Sequence, residues 1–336
     1  MRSATLLQRL TSRPDFGKLI TIPELGPFIL LVGELIVFTL LEPRFLSQGN
    51  ISNLLAFTPE LGMIALGMTM LMTAGEFDLS VGSVFGFTPV LMWTFYNAGL
   101  TSLEVGFLIS MAVAVLIGFA NGWLVNRLKI PSFLVTLGML LVVRGSALYI
   151  TAGFPQRTWT ADSPLMQVVV GDIYVGDFRL YASLLWFVFF VVILHYVLTQ
   201  SRVGNWILAS GGNPSSARAR GVRVERTKTV LFILTAVMAA YAGVTSSIRV
   251  SAANPNSGTG YELEVIAMVV IGGTMLSGGR GTIIGTVLGV LILRTMRNGI
   301  IMIGVPGLAY NIFIGAIILI MMAVHSFVER QMRTGE

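Results

Sequence analysis

No cysteine occurs among the 336 residues, which excludes disulfides, thiol nucleophiles and thiolate metal sites. Histidine is almost as scarce: His195 and His325 both fall near the ends of apolar runs, places that suit a membrane interface better than a metal cluster. Charge is thin as well, at 11% of residues against about 25% in soluble domains. The chain has no GxxxxGK[ST] phosphate loop, no HExxH, no nucleophile elbow and no acids at metal-loop spacing. No catalytic residue, cofactor or metal is therefore expected, and the chain does not read as an enzyme. The net charge of +6 does not point to nucleic acid, because the basic residues sit in loops that fall on one side of a membrane.

What the chain has in quantity is apolar sequence, 54% of all residues, in runs of about the 20 residues that a helix needs to cross a bilayer. The alternating ten-residue segments of a β-barrel are missing, so the expected fold is all-α and polytopic. Helices are predicted at roughly 25–41, 51–73, 80–98, 103–125, 131–152, 180–199, 229–248, 262–277, 281–303 and 306–325, ten spans in all. Residues 1–24 read as a cytoplasmic tail rather than a signal peptide, 25–325 as the membrane domain and 326–336 as a second cytoplasmic tail. With both termini inside, most of the 22 basic residues fall in cytoplasmic segments, although Arg294 and Arg297 near one outer end run against the rule. The longest outer loop, 153–179, carries Pro155, Pro164, Trp159, Tyr174, Asp162, Asp172 and Asp177; it reads either as a docking surface or as a connector with interfacial aromatics. The outer segment 251–261, SAANPNSGTGY, is a turn or irregular stretch lining a cavity.

The longest water-compatible stretch between membrane-grade blocks is the loop 201–228, with six basic residues and one acid, Glu225. Within it GGNPSSARARG has both ends of a short helix: Asn213 as cap, Pro214 at the first position and Gly221 as a left-handed stop. Two turns are too few to be stable alone in water, so a partner is implied. Ala217 and Gly221 share a face that permits close backbone approach, with Arg218 beside it. A solvated basic loop obeying only the topology rule is the plainer alternative.

Two glycine-bounded polar breaks interrupt the apolar pattern, TAGEFDLSVGS at 73–83 and LSGGRGT at 276–282. Irregular backbone at membrane depth has to face protein or water, so each is either pore-facing or a simple turn. Asp78, ahead of Ser80, fits a helix-start cap as well as a ligand contact. Gly75, Gly82 and Gly86 recur as Gly278, Gly285 and Gly289 at a constant offset, a faint echo of duplicated halves. Arg144, Glu34 and Glu60 lie inside spans, and Arg144 with one of the two acids makes a plausible buried pair. An ion-coupled secondary carrier using Glu34, Glu60 or Arg144 is the alternative to a transporter powered by a partner subunit.

The runs ALGMTMLMTAGEFDLSVGSV (65–84), NGWLVNRLKIPSFLVTLGMLLVVRG (121–145), ASGGNPSSARARGV (209–222) and GYELEVIAMVVIGGTMLSGGRGTIIGTVLG (260–289) together resemble the permease subunits of ribose-type sugar ABC importers. The resemblance covers most of the chain in order and spacing. It implies a monosaccharide or polyol importer in the bacterial inner membrane, embedded in lipid, with three protein partners: a separate ATPase, a periplasmic sugar-binding protein and a second permease chain, identical or related. It also gives the ATPase-coupling role to Gly212, Asn213, Ala217, Arg218 and Gly221, while Asp78, Ser80, Arg144, Tyr261 and Asn311 are the expected pathway or gate residues. Ala74, Glu76 and Phe77 depart from the Gly-Gly-Ile sequence that is commoner before Asp-Leu-Ser.

Overall fold

The computed structural model describes residues 24–157, 163–176, 178–310, 312–316 and 319–320. The expected N-terminal tail up to residue 23, Trp159, Asp162, Asp177, Asn311, His325 and the C-terminal tail lie outside them.

Helices dominate, and the longest follow the apolar runs: α1 (Leu25–Leu41), α2 (Gln48–Thr73), α3 (Val81–Asn97), α4 (Leu103–Leu128), α5 (Ser132–Thr151), α6 (Pro164–Val170), α7 (Ala182–Gln200), α8 (Arg202–Gly212), α9 (Pro214–Ala219), α10 (Val224–Arg249), α11 (Tyr261–Ile271) and α12 (Ile283–Met302). Among the described residues six of these, α2, α4, α5, α7, α10 and α12, are long and apolar enough to cross a membrane. Their apolar stretches divide into two layers. In α2, α10 and α12 they are 83%, 72% and 67% buried within the chain, whereas in α4, α5 and α7 they are only 28%, 22% and 22% buried. The first three form the inner layer; the outer three present Leu108, Leu116, Leu141, Val142, Val188 and Val192 outward. Such faces are stable only against lipid or another apolar surface.

Small residues set the inner packing. Gly118 and Gly122 of α4 are one helical turn apart and lie on the backbone of α10, where an added Cβ would come within 2.6 Å of Ile233 Cα and 2.7 Å of Thr229 Cα. Asn126 one turn on donates to Thr229 Oγ1 at 3.0 Å and to Glu225 O at 3.2 Å, closing that seam.

Two features depart from the expected spans. The apolar run at 262–277 is helical only as α11, and its glycines at 272 and 273 end it. Ahead of α11, residues 250–260 run back into the bundle, so that Gly258 packs on Gly82 and Ser257 on Gly86. The loop 153–179 is also structured. It holds α6, the hairpin β2 (Asp172–Val175) with β3 (Phe178–Tyr181), and β1 (Gln156–Arg157), which pairs antiparallel with β4 (Ala252–Ala253).

Candidate functional site

The two breaks and the basic loop meet at one end of the bundle. Gly75 (φ +84°), Gly278 (φ +78°) and Gly279 (φ +81°) all adopt left-handed backbone, which glycine alone takes without strain. Gly279 N donates to Thr73 O at 2.8 Å, and a Cβ on Gly279 would lie 2.8 Å from Gly212 Cα at the end of α8. Three chain segments thus touch backbone to backbone. Nearby, Lys228 Nζ donates to Glu76 Oε1 at 2.7 Å, with side chains only 11% and 16% exposed. Glu76, one of the departures from the commoner sequence, therefore has a matching cation on α10.

From this junction α9 projects with the ends its sequence signalled. Asn213 Oδ1 accepts from Ser216 N at 3.0 Å, Pro214 is the first residue, and Gly221 follows at φ +84°. Arg218 pairs with Glu225 at 2.8 Å. Gly212, Asn213, Arg218 and Gly221 are exposed, but Ala217 is buried within the chain itself, so its small side chain seats α9 on its own loop.

Asp78 and Ser80 are fully buried beside the junction. Asp78 Oδ1 accepts from Ser80 N at 2.7 Å and Ser80 Oγ at 2.6 Å, while Asn121 Nδ2 of α4 reaches Asp78 Oδ2 at 3.3 Å. The carboxyl organises the start of α3, as a helix-start cap does, and ties it to α4.

Arg144 does not form the expected pair with Glu34 or Glu60. Its guanidinium donates instead to three backbone carbonyls: Pro255 O, Ser257 O at 2.7 Å and Gly82 O at 3.0 Å, with Glu262 within electrostatic reach. A run of irregular backbone inside the bundle leaves carbonyls without helix partners, and Arg144 satisfies them. Glu60 is held by Arg249, which also donates to Ala56 O and stacks 4.2 Å over Phe57. Glu34 has no hydrogen-bond partner among the described residues and borders an apolar groove with Ile29, Phe38, Ile292 and Met296.

At the end of the bundle away from the junction, α2, α10, α11 and α12 border a half-open cavity of about 510 Å³ whose lining mixes apolar side chains such as Phe57 and Ile301 with Asn53, Glu60, Tyr261, Arg294, Arg297 and Asn298. Arg294 Nη2 donates to Phe57 O at 3.0 Å, Arg297 lies 5.0 Å over the Tyr310 ring, and the Tyr310 hydroxyl donates to Glu264 at 2.7 Å. Of the expected pathway residues Tyr261 alone borders this cavity; Asp78, Ser80 and Arg144 belong to the buried networks, and Asn311 is outside the described residues. The arginines that ran against the charge rule are lining residues. That exception was the sequence signal for them.

The chain matches the family described as "Branched-chain amino acid transport system / permease component" over residues 50–322. It is 33% identical over 320 residues to the ribose import permease protein RbsC of Escherichia coli strain K12, covering 94% of this chain and 96% of that protein. Similarity extends to the xylose/arabinose import permease protein XylH of Sulfolobus acidocaldarius, 31% identical over 91% of this chain and 86% of that one. The galactose/methyl galactoside import permease protein MglC of Escherichia coli strain K12 is 32% identical, over 90% and 94% of the two chains. No solved structure matches the chain.

Proposed function

The chain belongs to the family of branched-chain amino acid transport system permease components, and on that premise we propose that it carries a monosaccharide or related polyol inward across the bacterial inner membrane. It is the permease subunit of an ATP-binding cassette sugar importer and catalyses no bond breaking itself; hydrolysis of ATP falls to a separate subunit, and a substrate-binding protein is the other partner. In this reading the chain has ten spans with both termini in the cytoplasm. A second permease chain completes the pathway, and lipid covers the exposed faces of α4, α5 and α7.

One observation carries the reading: the end of α8, leading into the exposed helix α9, touches both interrupted segments through glycine backbone. A subunit docked on Arg218 and on the exposed residues around it can thereby move the two breaks together. Gly212, Asn213 and Gly221 shape this contact, while Ala217 positions α9 from beneath. The basic residues Arg127, Lys129, Arg202 and Arg220 at the same end support a cytoplasmic placement.

The test is uptake of radiolabelled ribose, xylose and galactose in cells lacking their own pentose and hexose carriers. The permease is supplied with its ATPase and binding protein. Uptake of at least one sugar should need an ATPase with an intact Walker lysine and should be lost in Arg218→Glu/Arg220→Glu. Uptake that persists without the ATPase and collapses with a proton ionophore would establish the ion-coupled alternative instead.

A further inference from the structure

The cavity at the far end carries more positive charge than the described residues around it balance. Glu60 is paired with Arg249, and Glu264 is engaged by Tyr310. Arg294 and Arg297 have no acidic partner within ion-pair distance among the described residues. Arg294 is 7% exposed, lies within electrostatic reach of Arg249, and among the described residues has a single hydrogen bond, its Nε finding no acceptor there. Asn298 Oδ1 on the next turn is likewise buried and unpartnered, though its amide donates to Asn50. A buried guanidinium with no carboxylate beside it is costly, and a buried donor without an acceptor adds to that cost. Within the cluster three arginines face two glutamates, so one negative charge brought in from outside closes the balance.

The remaining lining is mixed, as suits a sugar with both hydroxyl and CH faces. Asn53, Ser246 and Asn298 offer hydrogen bonds, Tyr261, held edge-on by Phe85 at 5.1 Å, offers an aromatic face, and Leu54, Val250 and Ile301 add apolar wall. The volume is within the range of small-molecule sites.

We propose that this cavity binds an acidic monosaccharide, an aldonate or uronate, with its carboxylate on Arg294 and Arg297 and its hydroxyls on Asn53, Ser246 and Asn298. The proposal rests on the importer reading and narrows its substrate class. Guanidinium is the side chain best matched to a carboxylate, because its planar fork of donors meets both oxygens.

The test is equilibrium binding of radiolabelled D-gluconate, D-galacturonate, D-glucose and D-galactose to the purified permease in lipid nanodiscs. At least one acid should bind tenfold or more tightly than its parent sugar, and the difference should shrink as salt is raised. Arg294→Gln and Arg297→Gln should each weaken acid binding at least tenfold and weaken neutral-sugar binding by a clearly smaller factor, so that the acid preference falls. Asn298→Asp puts a carboxylate at the wall without removing an arginine, and should weaken acid binding in the same direction. Equal or weaker binding of both acids, or unchanged acid binding in all three variants, overturns the proposal, as does an absence of binding by any of the four. A pull-down of the same nanodiscs with the ATPase reads the importer assignment separately: association without acid preference leaves that assignment standing and removes only this one.

Discussion

Gly278 lies so close to Gly75 that a Cβ built on it would stand 2.7 Å from the Gly75 Cα and 3.1 Å from the Gly211 Cα. The two breaks cannot separate, or admit a side chain between them, without moving the end of α8. Gly278→Ala adds a methyl there and forces alanine into left-handed backbone at a cost of roughly 1 kcal/mol before any clash. The expected outcome is a lower melting temperature and ATP hydrolysis that no longer tracks uptake, measured in the same proteoliposomes. Wild-type coupling in this variant would show that the contact is incidental.

Lys228 and Glu76 connect α10 to the first break in a setting largely shielded from water. Lys228→Met should destabilise by roughly 3 kcal/mol, the low end for stranding one member of a buried pair, since both side chains keep some exposure. Glu76→Gln combined with Lys228→Met should recover part of that loss, because no lone charge remains. Thermal melts of the two single variants and the double variant form the cycle that checks this.

Replacing Arg144 by Leu frees the carbonyls of Gly82, Pro255 and Ser257 rather than an acid. Hydrogen exchange at residues 254–260 should rise at least tenfold, while exchange in α4 stays as it was. If protection in that segment is unchanged, Arg144 does not hold it.

On α9 the burial of Ala217 separates two substitutions that look alike in sequence. Ala217→Trp should disrupt the loop itself and lower the yield of folded protein. Ala219→Trp, on the exposed side, should leave melting unchanged and weaken ATPase capture several-fold. Identical behaviour of the two in melting and pull-down assays would refute the assignment of faces.

Asp78→Ala leaves the Ser80 amide and hydroxyl without their acceptor in a fully buried place, at about 1–3 kcal/mol, while Asn121 keeps only its bond to Ser80 Oγ. A cysteine placed at Asp78 should resist a membrane-impermeant thiol reagent in every transport state, as a wall residue of a water-filled pathway would not.

The sequence made the long helices visible because each is a run of apolar residues, and the ends of α9 because Asn213, Pro214 and Gly221 act on their own neighbours; α6 and α8, short helices inside segments read as loops, carried no such run. The depth of residues 250–260 was not legible in that way. Its supports are carbonyl oxygens, which every residue has, and they are reached by an arginine more than a hundred positions earlier in the chain. Arg294 and Arg297 were conspicuous only as exceptions to a charge rule, and the cavity they line takes its walls from four helices that are distant in sequence. The partner of Glu60 was hidden for the same reason, since Arg249 ends a helix nearly two hundred residues away.

The ladder joining Gln156 and Arg157 to Ala253 and Ala252 consists of main-chain pairing between the outer loop and the start of the segment that Arg144 grips. Such a link asks little of side-chain identity. Residues on the exposed side of that loop are therefore free to drift while the main-chain pairing that fastens it to residues 252–253 is kept. Selection can recast the loop's surface without rebuilding its anchorage to the bundle.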